Sequence, residues 1–245
     1  MTEARPAGVA ALPSALVCAG CGHRVADDAP LAFACPAARP GDDVDHVLVR
    51  VLDPAAGPFA GDPGAPNPFV RWRTRFHAYH RARSLGWSDA EYHTFIGRLN
   101  ARVALVDGHP FRITPFARSG PLSDALGLSA RGGVWVKDET GNVSGSHKAR
   151  HLFGTLLELG VEEARQDAAA RPRPRAGRPP LAIASCGNAA LAAAVVARAA
   201  KRHLDVFIPL DADPVVVERL RALGAACTVC EREPGIAGDP TYHAL

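Results

Sequence analysis

Lysine is scarce in this sequence. Of its 28 basic residues only three are lysines, Lys137, Lys148 and Lys201. Chemistry that needs a side-chain primary amine therefore has few candidates. Neither Gly-x-Gly-x-x-Gly nor a P-loop pattern occurs, so the common phosphate-cradling signatures are missing from this stretch. No apolar run reaches the roughly 20 residues of a membrane span. The start, residues 1–17, lacks the charged-then-apolar order of a secretory signal. The net charge of +3 is too mild to imply a nucleic-acid partner. The expectation is a chain with no membrane and no nucleic-acid partner, located in the cytoplasm, where its six cysteines stay reduced.

Apolar residues make up 47% of the 245-residue chain, enough to bury a core. Three regions are expected. Residues 1–52 read as a loose tail, up to about residue 16, followed by a zinc-ribbon-like module. Residues 53–67, rich in proline, glycine and alanine, read as a linker. Residues 68–245 carry the remaining elements. In the first region Cys18-Ala19-Gly20-Cys21-Gly22 is half of a familiar zinc knuckle, since two thiolates on one tight turn share a tetrahedral ion. Cys35 follows, but Ala38 stands where its pair would be. His46 or His23 offers a fourth ligand. A set of Cys18, Cys21, Cys35 and His46 around zinc and a metal-free β-ribbon both remain open. Val47, Val49 and Val51 alternate as in a closing strand.

Phe69, Trp72, Phe76 and Tyr79 recur at helical spacing, and Ser88 with Glu91 forms a capping-box pattern before a second helix. The span from Pro115 to Gly133 reads as turns. A strand is expected over 134–139, and a helix from about Lys148 to Gly160. The arginine- and proline-rich 165–180 reads as a solvated loop. The end is regular: strand 181–185, helix 188–202, strand 204–209, helix 214–223, strand 226–230. Asp213-Pro214 marks a start and Gly224 a stop. Such alternation predicts an α/β fold with a parallel sheet and crossover helices. Cys227 and Cys230 fall on opposite faces of its last strand and read as core filler. Cys186 reads as a small buried residue.

Two stretches carry chemistry. The first is Asn142-Val143-Ser144-Gly145-Ser146-His147-Lys148-Ala149-Arg150, where small residues leave room beside the backbone and a lysine opens the helix. The second is Ser185-Cys186-Gly187-Asn188-Ala189-Ala190, a strand-to-helix loop whose N–H groups favour an anion. Asn188 there reads equally as a plain helix N-cap.

In order and spacing the two stretches resemble the lysine motif and asparagine loop of fold type II pyridoxal-phosphate (PLP) enzymes, the tryptophan-synthase-β-like group. Asn142, Gly145, Ser146, Lys148 and Arg150 keep the group's pattern. Val143, Ser144, His147 and Ala149 depart from it. Thr114-Pro115, Lys137-Asp138-Glu139 and the ribbon-like N-terminus look like threonine synthase. The resemblance implies that Lys148 is the Schiff-base lysine and general base, and that Asn188 meets the cofactor's 3′-oxygen. It implies that Ser185, Gly187 and Ala189 line the substrate carboxylate site, and that His147 lies near the phosphate. The implied function is a PLP-dependent lyase acting on an amino acid by Cα deprotonation and β/γ-elimination or replacement. A serine/threonine dehydratase and a non-catalytic, truncated binding module are the alternatives. The resemblance covers only the first half of the group's catalytic fold, so the phosphate loop is expected beyond Leu245 and tight PLP binding is not expected from this stretch alone. Members are usually dimers, and the sequence leaves a homodimer open.

Overall fold

A computed structural model describes residues 13–26, 29, 32, 34–53, 61–128, 132–169, 179–232 and 234–245. β1 (Ser14–Cys18) and β2 (Leu48–Leu52) pair antiparallel, with Cys18 opposite Leu48. The expected tail thus gives way to a strand at Ser14. A short apolar run, Ala15-Leu16-Val17, has no alternation to announce it. The tail's first twelve positions, 54–60 of the linker and 170–178 of the arginine-rich loop lie outside the described residues. Val47, Val49 and Val51 do belong to the closing stretch, but all three are exposed.

The aromatic stripe is not one helix. The chain forms α1 (Pro68–Arg71), a 3₁₀ turn (Arg73–Arg75) and α2 (His77–Ser84). It breaks at Trp72 and again at Phe76, which is extended at φ −98 and ψ 131. The spacing survives as shared packing, because Phe69, Phe76 and Tyr79 meet one core. α3 (Asp89–Asp107) opens with the expected capping box of Ser88 and Glu91, and Gly108 at φ 86 ends it in the left-handed conformation that suits glycine.

The segment read as turns holds β3 (Phe116–Ser119) and α4 (Gly120–Ala125), and β3 pairs antiparallel with β4 (Val134–Lys137). β3 is short and half polar (Phe-Ala-Arg-Ser), so its pairing, not its pattern, makes it a strand. After a 3₁₀ turn at Val143–Gly145, α5 (Lys148–Ala169) runs past the expected stop at Gly160. That glycine is a close approach instead. A Cβ there would lie 2.6 Å from Cζ of Phe95.

The predicted alternation is found: β5 (Leu181–Ala184), α6 (Asn188–Ala199), β6 (Leu204–Pro209), α7 (Pro214–Ala222) and β7 (Ala226–Cys230). A further short helix, α8 (Pro240–Ala244), lies beyond the predicted elements. β5, β6 and β7 form a parallel sheet in that order, so the fold is α/β as expected. The alanine-rich α6 is buried on two sides. Ala192, Val195 and Val196 face the helical core, while Ala190, Ala194 and Ala197 face the sheet. Small side chains let both layers approach the same helix. Cys227 packs against the sheet-side core, as filler. Among the described residues no helix is long and apolar enough to cross a membrane.

Candidate functional site

The lysine stretch is a tight turn held from three sides. Asn142 is buried, and its Nδ2 donates to Ser146 O at 2.8 Å. Ser144 and Gly145 both adopt positive φ, 54 and 69. For serine that conformation costs about 1–2 kcal/mol. An opposing hold is visible: Ser144 N–H donates to Asp107 Oδ1 at 3.1 Å. Asp107, at the end of α3, is 4% exposed at its side chain, so its carboxylate needs such donors.

A second hold is ionic. Arg150 Nε donates to Glu139 Oε2 at 2.7 Å, and Nη2 donates to Glu139 Oε1 and Thr114 Oγ1, both at 3.1 Å. Thr114 Oγ1 in turn donates to Glu139 Oε1. Burial is the largest single influence on the Glu139 carboxyl and raises it, but the hydrogen bonds from Arg150 and Thr114, with the charges of Arg150 and Lys137, together hold it below its usual range. This clamp ties the strand before the turn to the first turn of α5.

Lys148 is the first residue of α5. Its side chain and that of His147 are exposed. Among the described residues Lys148 has no ion-pair partner. Lys137 differs, since its Nζ donates to Thr114 O at 2.6 Å and lies 3.6 Å from Glu139. Lys201 lies past the end of α6, at φ 56; the helix stops at Ala199, short of the expected 202.

The asparagine loop departs from expectation at two points. Gly187, not Asn188, is the N-cap of α6, and no side chain caps that end. Asn188 is the first helical residue and is exposed. Cys186 is exposed, not buried, because the loop turns outward between β5 and α6. Ser185, Gly187 and Ala189 are partly buried. The lysine stretch shares a core with α6, the helix that follows the asparagine loop: Val143 and Ala149 cluster with Ala192 and Val195. The 143–145 turn itself lies against α6.

The N-terminal ribbon brings Cys18, Cys21, Cys35 and His46 together, their ligand atoms within 4.8 Å of one another. His23, the other histidine considered, is outside this group. The Cys21 N–H on its sulfur lowers the Cys18 thiol to about 6. The Cys35 sulfur beside it raises His46 to about 9. Gly20 makes the knuckle tight, since a Cβ there would overlap the Asp45 carbonyl oxygen. Gly20→Ala is expected to cost about 1–3 kcal/mol, as overpacking against backbone does. Denaturant unfolding of the two chains checks this.

Sequence reasoning passed over Asp107, the Glu139–Arg150 clamp and Asp42, which contacts His46. Asp42 had a signal, four residues before His46. Asp107 had none, because its partner Ser144 is distant in sequence.

A family model described as pyridoxal-phosphate dependent enzyme matches residues 109–242, more than half of the chain. The chain belongs to that family. Solved structures that align with part of the chain include maize serine racemase, 19% identical with TM-score 0.40, covering 61% of this chain and 38% of its own. Diaminopropionate ammonia lyase from Escherichia coli is 19% identical with TM-score 0.41, covering 56% of this chain and 34% of its own. Threonine deaminase isoform 2 from Solanum lycopersicum is 18% identical with TM-score 0.36, covering 60% and 37%. The chain thus spans less than two fifths of the length of these relatives. No curated protein matches.

Proposed function

We propose that this chain carries the cofactor-anchoring lysine of a PLP-dependent lyase of threonine-synthase-like type, acting on a small amino-acid substrate. The residues present fit the cofactor. Lys148 offers an exposed amine without an ion-pair partner among the described residues. The first N–H groups of α6 have no side-chain cap. In the turn before Lys148, Asn142 Oδ1 and Ser144 Oγ are buried without a hydrogen-bond partner, so both can bond to a bound polar group.

The reading rests most on the shared core that holds the lysine turn against α6. It keeps an amine and an anion-favouring helix start on two adjoining, packed elements. In this reading Lys148 holds the cofactor covalently and, once released, takes the substrate's Cα proton. Bound PLP supplies the electron sink for the charge that develops at Cα. Asn188 would donate to the cofactor's 3′-oxygen, and His147 would stand near its phosphate. Backbone N–H groups of Ser185, Gly187 and Ala189 hold the substrate carboxylate. Asp107 and the Glu139–Arg150 clamp keep the turn from swinging away. A homodimer is part of the same reading. A zinc ion in the ribbon would take no part in this chemistry.

The test compares the near-visible absorbance of the chain with excess PLP against Lys148→Ala. The expected result is a borohydride-sensitive band clearly stronger in the first than in the second, followed by turnover of phospho or hydroxy amino acids. Turnover of serine or threonine alone would assign a dehydratase. Identical spectra would leave the chain a binding module and end the lyase reading.

A further inference from the structure

Two cysteines of the ribbon lie on one turn, and a third cysteine and a histidine come from elsewhere in the same module. Cys18 ends β1, and Cys21 N–H donates to Cys18 Sγ at 3.5 Å. Gly22, at φ 74, turns the chain directly after Cys21. Cys21 Sγ lies 3.8 Å from Cys35 Sγ, and Cys18 Sγ lies 3.5 Å from His46 Nδ1. A tetrahedral ion with Zn–S bonds of about 2.3 Å places its sulfurs about 3.8 Å apart. A disulfide would need about 2.05 Å, so Cys21 and Cys35 are spaced as co-ligands of one ion and not as a bridge.

The histidine is prepared for the same task. With Nδ1 turned to Cys18, its Nε2 meets Asp42 Oδ2 at 3.0 Å. That carboxylate is itself fixed by the N–H groups of Arg39, at 3.1 Å, and Val44, at 3.2 Å. A carboxylate on the far nitrogen is the usual partner of a metal-bound imidazole, because it sets the tautomer and the ring angle. The module also has little else to hold it. Among the described residues its buried apolar side chains are few, Ala15 and Val25 being two besides the cysteines, and small modules of this kind need a staple.

We propose that Cys18, Cys21, Cys35 and His46 form a closed structural zinc site, with Asp42 as the positioning residue that orients His46. Four protein ligands leave no open position, so the ion is structural and not catalytic. Its effect reaches α5, the helix that Lys148 opens. Ser14 Oγ lies 2.8 Å from His77 Nδ1, and Arg50 lies 3.7 Å from Glu158 on α5. The zinc therefore fixes a module that rests on the lysine helix. The site stands independently of the PLP reading.

The test is zinc and cobalt titration of the metal-free chain under reducing conditions, with metal analysis of the chain as purified. The expected result is one zinc per chain and a tetrahedral cobalt spectrum with thiolate charge-transfer bands. Asp42→Asn is expected to bind zinc about 10–100-fold more weakly. His46→Cys, which keeps four ligands, is expected to retain zinc with an altered cobalt spectrum. Uptake of no zinc by the wild-type chain would overturn the proposal. So would zinc bound equally well by Cys21→Ser and His46→Ala, which would place it elsewhere. Wild-type affinity in Asp42→Asn would overturn Asp42's role.

Discussion

Phe153→Ala is expected to remove about 3–5 kcal/mol of folding stability, the range for a large aromatic lost from a core. Phe153 is wholly buried on α5, one turn beyond Arg150. Its ring centroid lies 4.6 Å from Phe69 and 4.6 Å from Phe111, which meet each other edge-on at 5.1 Å. The three rings join α1, the segment after α3 and the lysine helix. None can move into the vacated space without leaving the others. The cavity term should therefore add to the lost transfer energy rather than be relieved by collapse. Phe153→Leu keeps more of the volume and is expected to cost roughly half as much. Denaturant unfolding of the three chains gives the comparison. A loss below about 1 kcal/mol for the alanine variant would contradict the place of this cluster in the core.

Glu139→Ala is expected to cost about 1–3 kcal/mol at neutral pH, because it removes the carboxylate to which both the partly buried Arg150 guanidinium and the Thr114 hydroxyl donate. The same change should slow cofactor attachment at Lys148, since Arg150 is two residues further along the first turn of α5. The pH dependence has a definite sign. The folded-state Glu139 carboxyl lies below its ordinary value, so it binds a proton more readily in the unfolded chain. Its contribution is present above the ordinary glutamate range and disappears as pH falls through the lowered folded value. The gap between wild type and Glu139→Ala should therefore narrow on acidification. A double-mutant cycle with Arg150→Ala isolates the pair, and a coupling near zero would remove the clamp from the account.

The C-terminal alternation was legible almost to the residue because its signals are local. β6 and β7 are short and mostly apolar, Asp213-Pro214 starts α7, and Gly224 stops it at φ 86. The lysine and asparagine stretches were legible for the same reason, as each is one unbroken run. What failed depended on neighbours. Phe76 turns extended where spacing alone continues the helix. Gly160 reads as a stop until Phe95 is seen against it. β3 exists because β4 pairs with it. The supports of the site are of this second kind. Asp107 holds Ser144, and Glu139 holds Arg150, across separations that no local pattern encodes. The choice of His46 over His23 is likewise made by where β2 returns beside β1.

The most direct measurement is peptide mapping after borohydride reduction of the chain mixed with PLP. The chain supplies its own controls, because it has only two other lysines. Lys137 is paired with Glu139, and Lys201 is exposed beyond α6. The expected result is cofactor on Lys148 in clear excess over both, with the excess reduced in Glu139→Ala. Equal labelling of Lys148 and Lys201 would show an ordinary surface amine and contradict the assignment of Lys148 as the anchor.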